Sequence, residues 1–288
     1  MNGPAQSQKS VLITGATDGL GKAAAILLAE RGYRVFAAGR SAEKRAQLDA
    51  LAREKNLPLE TLALDVCNDE SAQQVASQVL AKAGAIDILF NNAGVNYSAA
   101  VEDLSLADWR SQFETNFFGV LRMTLAVVPH MRARQQGRIL MMSSVSGFVA
   151  APTQGAYSAS KFALEAMSNA LRLELYPFNI HVILIQPGYI VTGIQQAAFS
   201  LTGAYLQNRA SPYAALYASF LKNMTSSRAA SETTPEDCAR IILQAIESRR
   251  PKIRYPVTRL ATFAKWSRKL LSDRAVDTML LRRFGASR

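Results

Sequence analysis

The feature that most constrains the fold is an alternation along the chain. Short apolar runs rich in Val, Ile and Leu are separated by longer segments with helical periodicity. This pattern predicts β-α-β units, whose parallel strands form a sheet with helices on both faces. We therefore expect a doubly wound α/β fold with a seven-stranded sheet. The predicted strands are residues 11–14, 34–38, 61–64, 87–91, 138–142, 181–186 and 252–255.

Local signals mark where several helices begin and end. Residues 105–108 have the form of a capping box, and residues 234–237 add a proline at the first helical position. Pro177 should end the long helix that follows Tyr157. Because the chain has no internal repeat, low-complexity run or linker-like stretch, we expect residues 1–288 to form one domain.

The first predicted strand leads directly into the sequence TGATDGLG, residues 14–21, and then into a predicted helix over residues 22–31. Glycines let this backbone turn sharply and approach a pyrophosphate, whose charge would lie at the helix N-terminus. Strand, glycines and helix together predict a dinucleotide-binding site. The alternative is a glycine turn that packs the helix without a ligand.

The end of the second predicted strand bears on which dinucleotide binds. An Asp or Glu there would bind the ribose 2′-hydroxyl of NAD, whereas Arg can pair with the 2′-phosphate of NADP. The chain has Gly39 and Arg40 at this point and no acidic residue before Glu43. We therefore predict a preference for NADP(H), with NAD(H) left open; Arg40 as a solvated surface residue is the alternative.

Tyr157 and Lys161 lie four residues apart on a predicted helix and therefore share one face. A nearby ammonium favours the phenolate, and each unit of pKa shift from about 10 requires about 1.4 kcal/mol. Such a tyrosine can exchange a proton with an alcohol or carbonyl oxygen without a histidine. Ser144, at the end of a predicted strand, could hydrogen-bond the same oxygen. Alone, a tyrosine–lysine pair at this spacing is usually an ordinary surface feature. Together with Ser144 at a strand end and the dinucleotide loop upstream, it predicts a catalytic site.

Six short sequence elements carry a resemblance to a known family. They are TGATDGLG at 14–21, NNAG at 91–94, Asn116, SS at 143–144, YSASK at 157–161 and PG at 187–188. Over residues 10 to 255 the chain resembles the short-chain dehydrogenase/reductase family, in its compact single-domain branch. The resemblance implies hydride transfer between NADP(H) and the carbon of a secondary alcohol or ketone (or an aldehyde). It also implies a homodimer or homotetramer.

Four catalytic roles follow from the resemblance. It implies that Tyr157 is the general acid/base, and that Lys161 lowers the pKa of Tyr157 and holds the nicotinamide ribose. Ser144 would orient the substrate oxygen. Asn116, placed within the helix that begins near Ser105, would hold a water that relays protons to Lys161.

The resemblance also implies a set of cofactor-binding residues. Besides Tyr157 and Lys161, the pyrophosphate loop comprises Gly15, Ala16, Thr17, Asp18 and Leu20, and the adenosine end comprises Arg40, Asp65 and Val66. The residues beneath the ribose are Asn92, Ala93 and Gly94, and those at the nicotinamide end are Pro187, Gly188, Ile190 and Thr192. The chain departs from the family at Asp18, where NADP-using relatives often carry a basic residue. The prediction of NADP therefore rests mainly on Arg40.

The segment from residue 189 to 234 should frame the substrate, because ligands of open parallel sheets bind beyond the carboxyl ends of the strands. It is rich in apolar side chains at helical spacing. They are Phe199, Leu201, Tyr205 and Leu206, followed by Tyr213, Leu216, Tyr217, Phe220 and Leu221. One interpretation is a mobile lid over a lipophilic substrate such as a steroid, retinoid or acyl chain. The other is an ordinary amphipathic helix packed on the core or on a second subunit.

The positive charge of the chain is concentrated at its C-terminal end. Of the net charge of +11, residues 249–288 carry +10, because they hold twelve Lys and Arg against Asp273 and Asp277. We expect residues 256–288 to form a basic helical extension that contacts a membrane surface or docks on its own domain or a second subunit. No nucleic-acid module accompanies it. Its apolar residues are Leu260, Phe263, Ala264, Leu270 and Leu271, among Lys265, Arg268 and Lys269.

Other residue types exclude further classes of protein. Cys67 and Cys238 lack CxxC spacing and are predicted to be buried thiols. His130 and His181 have no third ligand in sight, so no metal site is expected. No apolar run approaches the roughly 18 residues of a membrane span, and the start lacks a secretory signal, which favours the cytoplasm. Two rival hypotheses remain: a catalytically silent NADP(H)-binding regulatory or scaffold protein, and a membrane-surface protein whose basic tail is the functional part.

Overall fold

The computed structural model describes residues 8–191, 193–229 and 233–284. Within these ranges, seven parallel strands form one sheet in the order β3-β2-β1-β4-β5-β6-β7. The predicted α/β fold is confirmed, and each predicted strand overlaps an observed one. The strands are β1 (Ser10–Thr14), β2 (Arg34–Gly39), β3 (Leu59–Ala63), β4 (Ile88–Asn91), β5 (Gly137–Met142), β6 (Ile180–Gln186) and β7 (Arg254–Pro256).

Helices cover both faces of the sheet. They are α1 (Gly19–Glu30), α2 (Ala42–Glu54), α3 (Asp69–Ala83), α4 (Leu106–Phe113), α5 (Gly119–Ala133), α6 (Gly155–Glu174), α7 (Gly193–Leu206), α8 (Ala214–Ala229), α9 (Pro235–Glu247), α10 (Arg259–Leu270) and α11 (Asp273–Phe284). Alternate residues of β1 serve the two sides: Val11 and Ile13 pack with α1 and α9, whereas Leu12 packs with α3 and α5. This alternation follows from the two-residue repeat of a strand.

The order of the strands reverses at β1, which pairs with β2 on one side and with β4 on the other. Loops leaving β1 and β4 therefore diverge and open a crevice at their carboxyl ends. Thr14 spans this crevice, because its hydroxyl accepts hydrogen bonds of 3.0 Å from the backbone N–H groups of Asn92 and Ala93.

The predicted helix boundaries are confirmed at three places. Residues Ser105 and Asp108 form a reciprocal capping box with two hydrogen bonds of 3.1 Å, and Thr234 caps α9 in the same way. Helix α6 ends at Glu174, before a short 3₁₀ turn over Tyr176–Phe178 that contains Pro177.

A third hydrophobic cluster lies beyond the carboxyl edge of the sheet. Helices α7, α8 and α11 pack there around Tyr217, which is fully buried. The Tyr217 hydroxyl accepts a 3.1 Å hydrogen bond from the backbone N–H of Ala100 and bonds the carboxylate of Asp103. Asn223 on α8 donates to the carbonyl of Arg283 on α11 at 2.8 Å. The extension thus folds back onto its own domain. None of the helices in the described ranges combines the length and the apolar character that crossing a bilayer requires.

Candidate active site

A cavity of about 1050 Å³ runs along the carboxyl ends of the strands. Its wall includes most of the predicted site residues: Gly15, Thr17, Asp18, Leu20, Arg40, Asp65, Val66, Asn92, Ala93, Gly94, Ser144, Tyr157, Pro187, Gly188 and Ile190. Ala16, Asn116 and Lys161 lie behind this wall rather than in it. Thr192 lies outside the described residues.

The phosphate loop is held in a conformation that requires glycine. Gly15 has a φ of +62°, and a Cβ atom there would lie 2.8 Å from the Cα of Ala93. The Asn92 side chain fastens the loop to β4, because its amide donates 3.0 Å hydrogen bonds to the carbonyls of Thr14 and Gly15. The close approach leaves a backbone cradle at the N-terminus of α1, which fits the pyrophosphate of a dinucleotide.

Asp18, the departure from the family pattern, is the N-cap of α1. Its carboxylate accepts a 2.7 Å hydrogen bond from the backbone N–H of Gly19 and forms an ion pair with Lys44 on α2. Burial alone would raise the pKa of Asp18, but these contacts and the charge of Lys22 outweigh it and the pKa is lowered. The carboxylate is therefore held in its charged form with a cation beside it.

Lys44 is a residue that the sequence reasoning missed. It lines the cavity together with Arg40 and Ser41, at the end where the second strand stops. The signal was available in its spacing, because Lys44 follows Arg40 by four residues at the start of α2. Two cations thus lie where the adenosine half of a dinucleotide would bind.

Tyr157 and Ser144 meet at the cavity wall. Ser144 lies in the loop after β5, and Tyr157 belongs to the first turn of α6. Burial raises the pKa of Tyr157, and the hydrogen bond from Ser144 offsets part of that rise. Burial has the larger effect, so the net pKa is raised. That Lys161 lowers this pKa, as the resemblance implies, stays a prediction.

Lys161 is buried one turn after Tyr157. Its ammonium donates a 2.7 Å hydrogen bond to the carbonyl of Met142, at the end of β5, and lies 5.7 Å from the centroid of the Tyr157 ring. Burial lowers the pKa of Lys161 to about 8, against the opposing charge of Glu165. The predicted proximity of tyrosine and lysine is therefore present.

Glu165, another residue absent from the sequence-based set, lies on α6 behind the lysine. One carboxylate oxygen accepts 2.7 Å hydrogen bonds from Ser143 and from Gln186, at the ends of β5 and β6. The other accepts a 2.9 Å hydrogen bond from Arg254 of β7. Glu165 therefore joins three neighbouring strands at the edge that carries the site. Its spacing of four residues from Lys161 was the available signal.

Asn116 lies in a π-helical turn, Glu114–Phe118, that joins α4 to α5 without a break, so it falls within the helical segment that begins near Ser105, as predicted. The side chain is fully buried and binds the backbone of Val95 at both ends: its oxygen accepts from the N–H at 2.8 Å, and its nitrogen donates to the carbonyl at 3.0 Å. A Cβ on Gly94 would lie 3.3 Å from the Asn116 oxygen and 3.9 Å from the Lys161 ammonium. Asn116 and Lys161 thus flank the same glycine.

The other end of the cavity is mostly apolar, although Ser267, Arg268 and Arg283 also line it. Helices α7 and α8 supply some of this wall, and α10 and α11 supply the rest, so the aromatic segment and the basic extension enclose the same space. The apolar lining residues are Phe199, Leu206, Phe220, Met224, Leu260, Phe263, Ala264, Val276, Met279, Leu280 and Phe284.

The two cysteines differ in their surroundings. Cys238 is buried in the core, as predicted, but Cys67 is only half-buried and lines the cavity beside Val66. Its thiol lies 3.4 Å from the Thr115 hydroxyl. Across the ranges that the structure describes, no three His, Cys, Asp or Glu side chains are grouped so that they could hold a metal ion.

A glycine cradle at a strand-helix junction, beside a serine–tyrosine pair and a buried lysine, defines a nucleotide-dependent oxidoreductase of the doubly wound class. A family model described as short chain dehydrogenase matches residues 9–202. The chain belongs to this family.

Curated relatives and solved structures agree with this assignment. Retinol dehydrogenase 8 of Bos taurus is 35% identical over 259 residues, 87% of this chain and 81% of that protein. The 3-ketodihydrosphingosine reductase of Bacteroides thetaiotaomicron is 40% identical over 183 residues, 64% of each chain and thus just under two thirds of the reductase. A short-chain dehydrogenase from Streptomyces avermitilis has a TM-score of 0.80 at 29% identity, over 97% of both chains.

Among the similar solved structures, some contain NAD and others contain NADP(H). A Burkholderia phymatum short-chain dehydrogenase/reductase in complex with NAD has a TM-score of 0.78 at 27% identity, over 90% of this chain and 92% of that chain. A single-residue variant of actinorhodin polyketide ketoreductase with NADPH has a TM-score of 0.75 at 26% identity, over 88% of this chain and 97% of that chain. The comparisons leave the cofactor preference open.

Proposed function

We propose that this protein is an NADP(H)-dependent oxidoreductase that interconverts a secondary alcohol and a ketone, or an aldehyde, on a lipophilic substrate such as a steroid, retinoid or acyl chain. The observation that carries the proposal is the position of the Ser144–Tyr157 pair. It lies at the wall of one cavity whose two ends are a nucleotide cradle and an apolar chamber.

The proton chemistry is assigned to Tyr157. Its hydroxyl donates the proton to the carbonyl oxygen in reduction and takes it back in oxidation, while the Ser144 hydroxyl holds the same oxygen. The nicotinamide supplies or accepts the hydride when the cofactor is bound. Lys161 holds the nicotinamide ribose and keeps a positive charge close to the tyrosine. Asn116 braces the backbone next to Gly94 and is proposed to hold a water on the proton path to Lys161.

The preference for NADP(H) is supported by two cations and by a missing acid. Arg40 and Lys44 line the adenosine end, and no Asp or Glu occupies the position at which NAD enzymes of this fold bind the ribose 2′-hydroxyl. The negative charge of Asp18 does not argue against NADP(H), because Lys44 forms an ion pair with that carboxylate. NAD(H) is retained as a second cofactor.

The lipophilic substrate class is supported by the lining of the chamber. Apolar side chains from four helices enclose it, and the names of two relatives refer to lipids, retinol and 3-ketodihydrosphingosine. A chamber of this composition favours an apolar substrate, because such a substrate gives up little hydration free energy when it leaves water.

Three further features belong to the proposal. Residues 1–288 are taken as one domain, since core and extension line one cavity. A homodimer or homotetramer is supported by exposed apolar side chains on α5 and α6, among them Leu125, Phe162 and Leu173. The cytoplasm is supported by the unpaired thiols of Cys67 and Cys238.

The test is oxidation of NADPH and of NADH by the purified protein with a panel that runs from small ketones and aldehydes to steroid and retinoid carbonyls. We expect turnover with NADPH and bulky apolar carbonyls. In Tyr157→Phe, turnover should fall by about two orders of magnitude or more while NADPH binding is retained. Comparable turnover in that variant would overturn the assigned mechanism. Tight NADPH binding without turnover in the wild type would favour the silent regulatory hypothesis.

A further inference from the structure

Helix α10 turns its largest apolar side chains towards solvent. Phe263 and Trp266 are each 57% exposed and Leu270 is 76% exposed, and their spacing places them along one side of the helix. Ala261, on the opposite side, is fully buried. The small side chain thus faces the protein and the large ones face water, the reverse of an ordinary surface helix.

The same helix is strongly basic. It carries Arg259, Lys265, Arg268 and Lys269 and no acidic residue. The Lys269 ammonium lies 5.8 Å from the centroid of the exposed Trp266 ring. Aromatic and leucine side chains flanked by lysine and arginine are the composition of helices that lie in the interface of an anionic membrane.

The exposed apolar surface continues into the cavity. Leu260, Phe263 and Met279 are exposed and also line the chamber described above. Phe199 on α7 has both properties as well. The mouth of the chamber is therefore rimmed by apolar side chains next to the outward side of α10.

We propose that the outward side of α10 binds the surface of an anionic lipid bilayer. This docking face is defined as Arg259, Phe263, Trp266, Lys269 and Leu270. A lipophilic substrate would then pass from the bilayer into the chamber between Leu260 and Met279, a step that rests on the proposed function. Docking itself requires only the face.

Charge favours a lipid surface over a second copy of this chain. A two-fold symmetric contact through the docking face would bring Arg259 and Lys269 against the same two residues of the other copy. Like charges at such a contact repel, whereas anionic headgroups attract each lysine or arginine near the surface.

The experiment is co-sedimentation of the full chain with vesicles of phosphatidylglycerol alone and of phosphatidylcholine alone. We expect the protein to pellet with phosphatidylglycerol and to stay in the supernatant with phosphatidylcholine. The double variant Trp266→Ser/Leu270→Ser should bind phosphatidylglycerol vesicles at least about tenfold more weakly. In the wild type both apolar side chains move from water into the bilayer on docking, and the variant loses this favourable transfer. Arg259→Gln/Lys269→Gln should lose a similar factor and show less dependence on salt.

A matched control comes from exposed apolar side chains elsewhere in the chain. Leu106 on α4 is 71% exposed and Tyr176, in the 3₁₀ turn after α6, is 81% exposed, so Leu106→Ser/Tyr176→Ser removes similar apolar area away from α10. This control should pellet like the wild type. Retained NADPH binding by every variant would show that each is folded.

Equal pelleting of the wild type and Trp266→Ser/Leu270→Ser would overturn the proposal, as would no pelleting of the wild type. A fall in molar mass by light scattering in that variant would assign the face to a second copy and overturn it too. NADPH-dependent turnover of the whole carbonyl panel, steroid and retinoid carbonyls included, without vesicles tests the redox site separately. If that turnover is absent while pelleting depends on the docking face, docking stands and only the proposed function fails.

Discussion

Glu165 lies one helical turn after Lys161 on α6, and its negative charge opposes the loss of the lysine proton. The carboxylate is itself held by Ser143, Gln186 and Arg254 and does not line the cavity. It is therefore a positioning residue that acts through the lysine rather than on a substrate.

For Glu165→Gln we expect the activity on the basic side of the pH profile to be lost at lower pH than in the wild type, by about one pH unit. The reason is that removing the carboxylate charge lowers the pKa of Lys161 further below its value of about 8. The measurement is kcat/KM against pH. Glu174→Gln, at the exposed end of the same helix, is the matched control. An unchanged profile with a uniformly lower rate would mean that Glu165 only supports the fold.

The buried ammonium of Lys161 should make the stability of the cofactor-free protein depend on pH. Its pKa is about 8 in the folded protein against 10.5 in water, so the unfolded chain binds more protons between these values and stability rises with pH there. Below pH 8 the penalty is fully present, up to about 3 kcal/mol.

Lys161→Met should therefore unfold at higher denaturant concentration than the wild type at pH 7. The difference should shrink as the pH rises from 8 towards 10.5. Urea titrations of both proteins across this range measure it. A difference that is constant with pH would show that burial of the charge does not limit stability.

Arg40→Ala and Lys44→Ala should each raise KM for NADPH by about tenfold and leave KM for NADH within about twofold, because each removes one cation from the adenosine end. Steady-state kinetics with both cofactors give the comparison. Arg53→Ala, an exposed cation at the far end of α2, is the control. An equal rise for the two cofactors would assign these side chains to the pocket wall and not to a 2′-phosphate.

Tyr217→Phe should lower the free energy of unfolding by about 1 to 3 kcal/mol, because it leaves the buried Ala100 N–H without a partner and leaves Asp103 with only the hydrogen bond from Ser211. Burial and Asp103 together raise the pKa of Tyr217 to about 12, so the hydroxyl donates across the usable pH range. Chemical denaturation measures the change. Tyr176→Phe, in an exposed 3₁₀ turn, should be neutral; a similar loss in both variants would contradict the role given to Tyr217.

Local and periodic features of the fold were predictable from the sequence. Strands, capping boxes and the glycine loop depend on residues near one another in the chain, and all three were found where expected. Some observed strand ends differ from the predicted ones by one or two residues. The third strand, for example, begins at Leu59 rather than at residue 61, because Leu59 pairs with Val35 of β2.

Contacts between distant segments were not predictable in the same way. The pairing of Asp18 with Lys44 and that of Glu165 with Arg254 depend on how α2 and β7 pack, which periodicity does not encode. The π-helical turn that contains Asn116 was not predicted, because such a turn has no distinctive composition. For the extension, the sequence did not decide between docking on the protein and contact with a membrane. In the structure, α10 has a side with buried Ala261 that packs on the protein and a side with exposed Trp266 and Leu270 that is free for another contact.

Strand β7 is short, Arg254–Pro256, and it is the last segment of the sheet before α10 begins at Arg259. Arg254 is also the residue that grips Glu165 behind the lysine. The segment that leads into the basic extension is thus tied to α6, the helix that carries Tyr157, by one guanidinium group, which contacts Glu165 and Asn169 on that helix.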